Sequence, residues 1–208
     1  EAQYLKRQRL VLSKQEKFRK GNLYMSKVYV FLADGFEEIE GLTVVDLLRR
    51  AQEEVVTVSI MGRKNITGSH NIQVQADALF EEVDFSEGKL LVLPGGMPGT
   101  LHLKEHEGLT QLLRKWNEDH KMMAAICAAP TVFGGLGFLQ GKTAVCYSGM
   151  EEGLTGAVEG SGPVAVDGNI TTSRGMGTAI DFSLSLIEQL QNKEKAEEIK
   201  KSIIYRLF

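Results

Sequence analysis

Residues Lys27–Ala51 read KVYVFLADGFEEIEGLTVVDLLRRA, and this stretch decides the fold. Its first seven residues, Lys27–Ala33, are rich in β-branched and aromatic side chains, the composition of a buried strand. From Glu37 to Ala51 the apolar residues recur with a helical period. Glu40, Val44, Leu47 and Ala51 share one stripe of that helix, at spacings of 4, 7 and 11. A strand that runs almost directly into a helix is half of a βαβ unit.

The same alternation continues outward. Val55–Met61 reads as a second strand, and Ile66–Leu79, broken by Gly68, Ser69 and Asn71, as a small hairpin or edge excursion. Lys89–Leu93 (KLLVL) is a buried strand ending at Pro94-Gly95-Gly96. Helix is expected at about Gly108–His120, strand at Met122–Ile126, and helix again from Ala128. Thr143–Tyr147 is expected as a further strand, followed by the pair Val164–Val166 and Ile170–Thr172 around the turn Asp167-Gly168-Asn169. Thr178–Gln191 and Lys193–Tyr205 read as closing helices. The pattern predicts an α/β fold with a mostly parallel sheet covered on both faces.

Composition bounds the function. The 208 residues are 43% hydrophobic and 25% charged, with 22 glycines, four prolines and two cysteines. That excludes a disulfide scaffold and a four-cysteine zinc site. No apolar run approaches the roughly 18 residues of a membrane helix, and the start lacks the apolar segment of a secretory signal. A cytoplasmic protein is the expectation. Residues 1–24 carry seven basic side chains against two acidic ones, a net of +5, while the whole chain is −3, which leaves −8 on residues 25–208. We therefore expect a basic arm at 1–24 and one domain over 25–208. An acidic body argues against nucleic acid as a partner.

In a parallel sheet, function collects at the carboxyl ends of the strands. Three such ends stand out: Asp34-Gly35-Phe36-Glu37-Glu38-Ile39-Glu40, Pro94-Gly95-Gly96-Met97-Pro98-Gly99 and Cys127-Ala128-Ala129-Pro130. Cys127 sits where a strand gives way to a helix, beside amides that favour a thiolate, among small residues that suit a tight elbow. The other reading is a buried structural thiol. Glu40, carried toward the sheet by its stripe, is a candidate buried carboxyl that keeps its proton and donates to the thiolate or moves a proton in catalysis. Glu37 and Glu38 read as ordinary first-turn acids. Glycines 95 and 96 let backbone approach a ligand closely. Gly137–Thr143 misses the phosphate-loop spacing, and Gly175-Met176-Gly177 lacks a third glycine, so nucleotide binding is not expected. His102 and His106 could share a helix face, but lacking HExxH and a third ligand they read as a solvated pair rather than a metal site. His70 and His120 complete the histidines. Cys146 reads as a core thiol or as a resolving partner of Cys127.

Four ordered segments together resemble the ThiJ/PfpI superfamily, in its YajL-like, Parkinson-disease-associated deglycase branch. They are Ala33–Glu40, Val92-Leu93-Pro94-Gly95-Gly96, Ala125–Pro130 and Thr172–Phe182. The likeness spans about residues 26–205. It implies a flavodoxin-like three-layer sandwich with a nucleophile elbow at Cys127, usually in a homodimer. It casts Cys127 as nucleophile, Glu40 as its protonated partner, and the amides of Gly96 and Ala128 as an anion-stabilising pocket, with Gly95, Arg174 and Cys146 secondary. It implies a glutathione-independent glyoxalase or deglycase acting on methylglyoxal, related α-oxoaldehydes or glycated protein, without cofactor or metal. The alternative it carries is a redox sensor or stress chaperone that uses oxidation of Cys127. Ala128 stands where protease-like members place histidine, and no His-x-Glu follows, which argues against a Cys-His hydrolase triad. Cys146 stands where some members carry a histidine, which leaves proton transfer to Glu40 or water.

Overall fold

A computed structural model describes residues 26–206; the basic arm expected at 1–24 lies outside the described residues. The chain order of strands is β1 (Lys27–Leu32), β2 (Val55–Ser59), β3 (Asn65–Thr67), β4 (Gln73–Gln75), β5 (Ala78–Leu79), β6 (Gly88–Leu93), β7 (Met122–Ile126), β8 (Thr143–Ala144), β9 (Val158–Glu159), β10 (Val164–Asp167) and β11 (Ile170–Ser173). The α-helices are α1 (Glu38–Arg50), α2 (Gly99–Glu105), α3 (Glu107–Glu118), α4 (Pro130–Gly135), α5 (Ala179–Leu190) and α6 (Lys193–Ser202). Seven strands form one sheet in the order β10-β11-β7-β6-β1-β2-β5. Every pairing in it is parallel except the terminal β10–β11 hairpin.

Strand alternation builds the two cores. On β1, Val28, Val30 and Leu32 face α1, α5 and α6, meeting Val44, Leu48, Phe182, Leu186 and Ile199. Tyr29 and Phe31 face the other way, toward Leu103, Leu109, Leu113, Trp116 and Phe133 on α2, α3 and α4. Successive side chains leave a strand on opposite faces, so one continuous apolar strand feeds both layers. Each fully buried Leu or Phe contributes about 1.5–3 kcal/mol relative to exposure. The result is the expected three-layer sandwich with a mostly parallel sheet.

Two expectations are corrected. Thr143–Tyr147 is not a strand of the main sheet: only Thr143–Ala144 is extended, paired with β9 in a separate two-stranded sheet. The Val145 amide donates to the Thr172 hydroxyl at 2.9 Å, so a side chain takes the bond that a strand neighbour would have taken. The second correction is α2, which the reading of Pro94–Gly99 as a turn did not foresee. A helix starts at Gly99 immediately after that turn and ends at His106, which then caps α3 by accepting from the Leu109 amide at 3.0 Å. His102 and His106 therefore stand on either side of a helix break and do not form a pair on one face. His106 packs on Phe80, ring centroids 4.7 Å apart.

Candidate active site

The strands β1, β6 and β7 are adjacent and parallel, so the three unusual turns meet at one edge of the sheet. At the end of β7, Cys127 takes φ +65°, the left-handed region that side chains other than glycine rarely occupy. Hydrogen bonds on both sides hold it there. Its amide donates to Ser173 O at 3.0 Å, and its carbonyl accepts from the Tyr147 amide at 2.8 Å. This sharp strand-to-helix turn aims the side chain out of the sheet edge, where the thiol is partly exposed. The amides of Gly96 and Ala128 lie close enough to its sulfur to favour the thiolate.

Glu40 reaches the same point from the first turn of α1. It is 1% exposed and its Oε2 accepts from the Gly95 amide at 2.9 Å, while the Cys127 thiol and the Met176 amide stand close enough to favour its ionised form. The PGG turn is locked to the start of α1, because the Glu37 amide donates to Gly95 O at 2.9 Å. A Cβ on Gly95 would stand 2.5 Å from Cys127 Cβ and 2.6 Å from Glu40 Oε2, so thiol and carboxyl meet only because this residue has no side chain. Gly96 is constrained twice, by φ +87° and by backbone 2.3 Å from where its Cβ would lie.

Burial pushes Glu40 up to about 7, against the lowering effect of its bonds to Cys127, Gly95 and Met176; the charge of Glu37 raises it further. Burial, then the charge and hydrogen bond of an ionised Glu40, push the Cys127 thiol up to about 12, and the Gly96 and Ala128 amides only partly offset this. Here the sequence expectation is corrected: the start of the helix does not by itself make Cys127 a thiolate. The helix that follows, α4, has only six residues, and burial of the sulfur opposes ionisation. Thiol and carboxyl instead form a coupled pair that loses its first proton near pH 7 and holds one proton above it.

The secondary candidates are placed differently. Gly95 belongs to the site. Arg174 turns away from it, donating from Nε to Gly162 O at 2.9 Å and from Nη2 to Gly160 O at 2.6 Å. Cys146 is fully buried, and burial pushes its thiol up to about 11. Both cysteines are free. The sequence weighs Gly175 and Met176 only as part of an incomplete nucleotide fingerprint and Tyr147 only as a strand end, although Thr172–Phe182 is one of the segments that carry the resemblance. Tyr147 Cδ2 lies 3.5 Å, and Glu40 Oε1 3.8 Å, from where a Gly175 Cβ would be.

Among the described residues, Glu37, Glu38 and His70 bring possible ligand atoms within 4.8 Å of one another. Their bonds describe a clasp between α1 and the β3–β4 hairpin. Glu38 accepts from the His70 amide at 2.8 Å and lies 3.0 Å from the His70 ring, and the single Ser69 hydroxyl lies 3.2 Å from a carboxylate oxygen of each glutamate. Burial works to raise the Glu38 carboxyl, but these donors hold it at about 2. The clasp fixes the turn of helix that carries Glu40. No helix among the described residues is long and apolar enough to cross a membrane.

The family model described as DJ-1/PfpI family matches residues 26–189. Protein DJ-1 homolog B of Arabidopsis thaliana is 39% identical over 86% of this chain and 42% of its own length. The chain spans about half the length of the two Arabidopsis relatives it matches. An archaeal relative from Thermococcus kodakarensis, named Deglycase TK1284, is 33% identical over 79% of this chain and 99% of its own length. The solved structure of oxidized Toxoplasma gondii DJ-1 is 38% identical, with a TM-score of 0.84 over 87% of this chain and 99% of that one.

Proposed function

The chain belongs to the DJ-1/PfpI family, and from that premise we propose that it is a cysteine-dependent enzyme of the glyoxalase and deglycase type, acting on α-oxoaldehydes or their protein adducts. The observation that carries this reading is the approach of a partly exposed thiol at a left-handed elbow to a buried carboxyl across the side-chain-free Gly95. The Cys127 thiolate adds to the aldehyde carbon, and the carbonyl oxygen takes up a proton to give a hemithioacetal. While the oxygen is anionic, the Gly96 and Ala128 amides stabilise it. Glu40 removes the proton from the former aldehyde carbon and returns one to the neighbouring carbon, so one carbon is oxidised as the other is reduced. The product is a 2-hydroxyacyl thioester, and water releases the 2-hydroxy acid and the thiol. No external oxidant or reductant enters.

Product analysis tests this. With methylglyoxal and no glutathione, the protein should form lactate with one enantiomer in clear excess, because Glu40 delivers its proton from one side of a fixed pocket. Racemic lactate at the buffer rate would overturn the enzyme reading.

A second copy of the chain belongs to the same proposal as partner. Exposed Ile39, Leu42, Ile72 and Ile204 border a groove of about 650 Å³ along α1, and this supports an apolar face for it.

The site also supports a second reading, a sensor of oxidation, because two amides and a protonated carboxyl would equally hold the oxygens of a sulfinate on Cys127. Mild peroxide should then add two oxygens at Cys127 and none at Cys146, which is 0% exposed. Intact mass and peptide mapping measure this, and equal oxidation of both cysteines would count against it.

A further inference from the structure

Large apolar side chains exposed to water call for an explanation when they gather at a reactive group. Three do so here. Met97 follows Gly96, whose amide favours the thiolate, and is 49% exposed; Tyr147, whose amide bonds the Cys127 carbonyl, is 55% exposed; Met176, whose amide favours the ionised Glu40, is 51% exposed. Each backbone is fixed by the site while its side chain is left in solvent. The ring of Tyr147 passes close to Gly175 beside the Glu40 carboxyl. None of the three is a core residue, so none is held there by the packing of the fold.

The charges around the mouth point the same way. Above neutral pH the Cys127–Glu40 pair holds one proton and hence one negative charge, and the charge of Glu37 acts on Glu40 as well. The guanidinium that follows β11, Arg174, is spent on the carbonyls of Gly160 and Gly162. An anionic substituent on a substrate would meet repulsion and lose hydration, whereas an uncharged apolar one would cover the two methionines and the tyrosine.

We propose that Met97, Tyr147 and Met176 form an apolar collar around the Cys127 thiol that selects carbonyl substrates bearing an uncharged aryl or branched-alkyl substituent. This deepens the proposed function and rests on Cys127 being the reacting group. Glyoxal has no substituent for the collar to hold, whereas phenylglyoxal presents a ring on the carbon next to the one attacked. The reaction steps are the same for both, so any difference arises in binding the substituent.

The test compares kcat/KM for phenylglyoxal and glyoxal, each divided by that aldehyde's rate with a small free thiol. The native protein should favour phenylglyoxal by about tenfold or more, the order expected when one ring covers part of its apolar area. In a Met97→Gln, Tyr147→Ser, Met176→Gln variant the ratio should fall to about threefold or less. A ratio that the triple variant leaves unchanged, including one in which both activities fall together, overturns the collar. If the native protein turns over neither aldehyde, the enzyme reading fails, and the collar is decided by alkylation of Cys127. N-phenylmaleimide should then react faster than N-(2-carboxyethyl)maleimide relative to their rates with the small thiol, and the triple variant should lose that preference. Equal relative rates in the native protein overturn it. Far-UV circular dichroism and a denaturant midpoint on the variant establish that it is folded, as expected for changes at half-exposed positions.

Discussion

Replacing Cys127 with serine is expected to reduce lactate formation from methylglyoxal by about a thousandfold or more, to near the background rate. The hydroxyl keeps nearly the same shape. It can sit at the same elbow, over the same Gly95, with the same amides of Gly96 and Ala128 in reach. What changes is acidity: a serine hydroxyl is a far weaker acid than even a buried thiol, and no histidine stands ready to take its proton. The Ala128 position immediately after the nucleophile offers no base, and Glu40, which titrates near 7, is far too weak a base to ionise a serine hydroxyl. The melting temperature should stay close to native, because Cys127 is only partly buried at the edge of one core and serine nearly keeps its shape. Rate measurement alongside a thermal scan checks both halves. Full activity in the folded variant would show that the chemistry takes place elsewhere.

Why that residue could be found in the sequence, and others could not, follows from range. Cys127 lies at the junction of an apolar strand, Met122–Ile126, with a turn of small residues, a purely local signal. Glu40 was legible because it falls on the stripe of Val44, Leu47 and Ala51, which must face the sheet. The two cores were legible because β1 is apolar on both faces. The failures arose where a distant group decided. Val145 leaves the strand pattern because of the hydroxyl of Thr172, 27 residues away in sequence. The helix Gly99–Glu105 begins directly after a cis Met97–Pro98 bond in a stretch whose prolines and glycines look like loop throughout. The His102–His106 spacing fits one helix face only if the helix continues, and it stops between them. The thiolate expectation counted the amides of the elbow and omitted desolvation, which only the folded surroundings of the sulfur reveal. The role of Gly95 is of the same kind: its sequence context shows a turn, whereas the 2.5 Å between its missing Cβ and that of Cys127 is a three-dimensional fact.

Glu40→Gln should remove the proton-transfer group and the neutral-range titration together. Turnover is expected to fall by about 10²–10⁴, the usual contribution of a positioned acid-base group. The amide can still accept from Gly95, so the geometry survives while the shuttle is lost. In the native protein, alkylation of Cys127 by iodoacetamide should rise with pH through a midpoint near 7, where the buried carboxyl and the thiol lose their first proton as a pair. Below that midpoint both are protonated and the sulfur is a poor nucleophile; above it the remaining proton is shared, and a fraction of thiolate persists. In the glutamine variant no carboxyl titrates there, so the step near pH 7 should vanish and only the thiol's own ionisation should remain. Stability carries the same signature with a definite sign. Burial raises Glu40 from 4.5 to about 7, so its favourable contribution is fully present below pH 4.5 and is lost as the pH rises through 7. Relative to Glu40→Gln, the native protein should therefore lose about 3 kcal/mol of stability between pH 4.5 and pH 8, measured as the difference between the two denaturation curves. A native alkylation midpoint at the ordinary thiol value, unmoved in the variant, would mean that sulfur and carboxyl titrate independently despite their contact, and would remove the basis for assigning the proton transfer to Glu40.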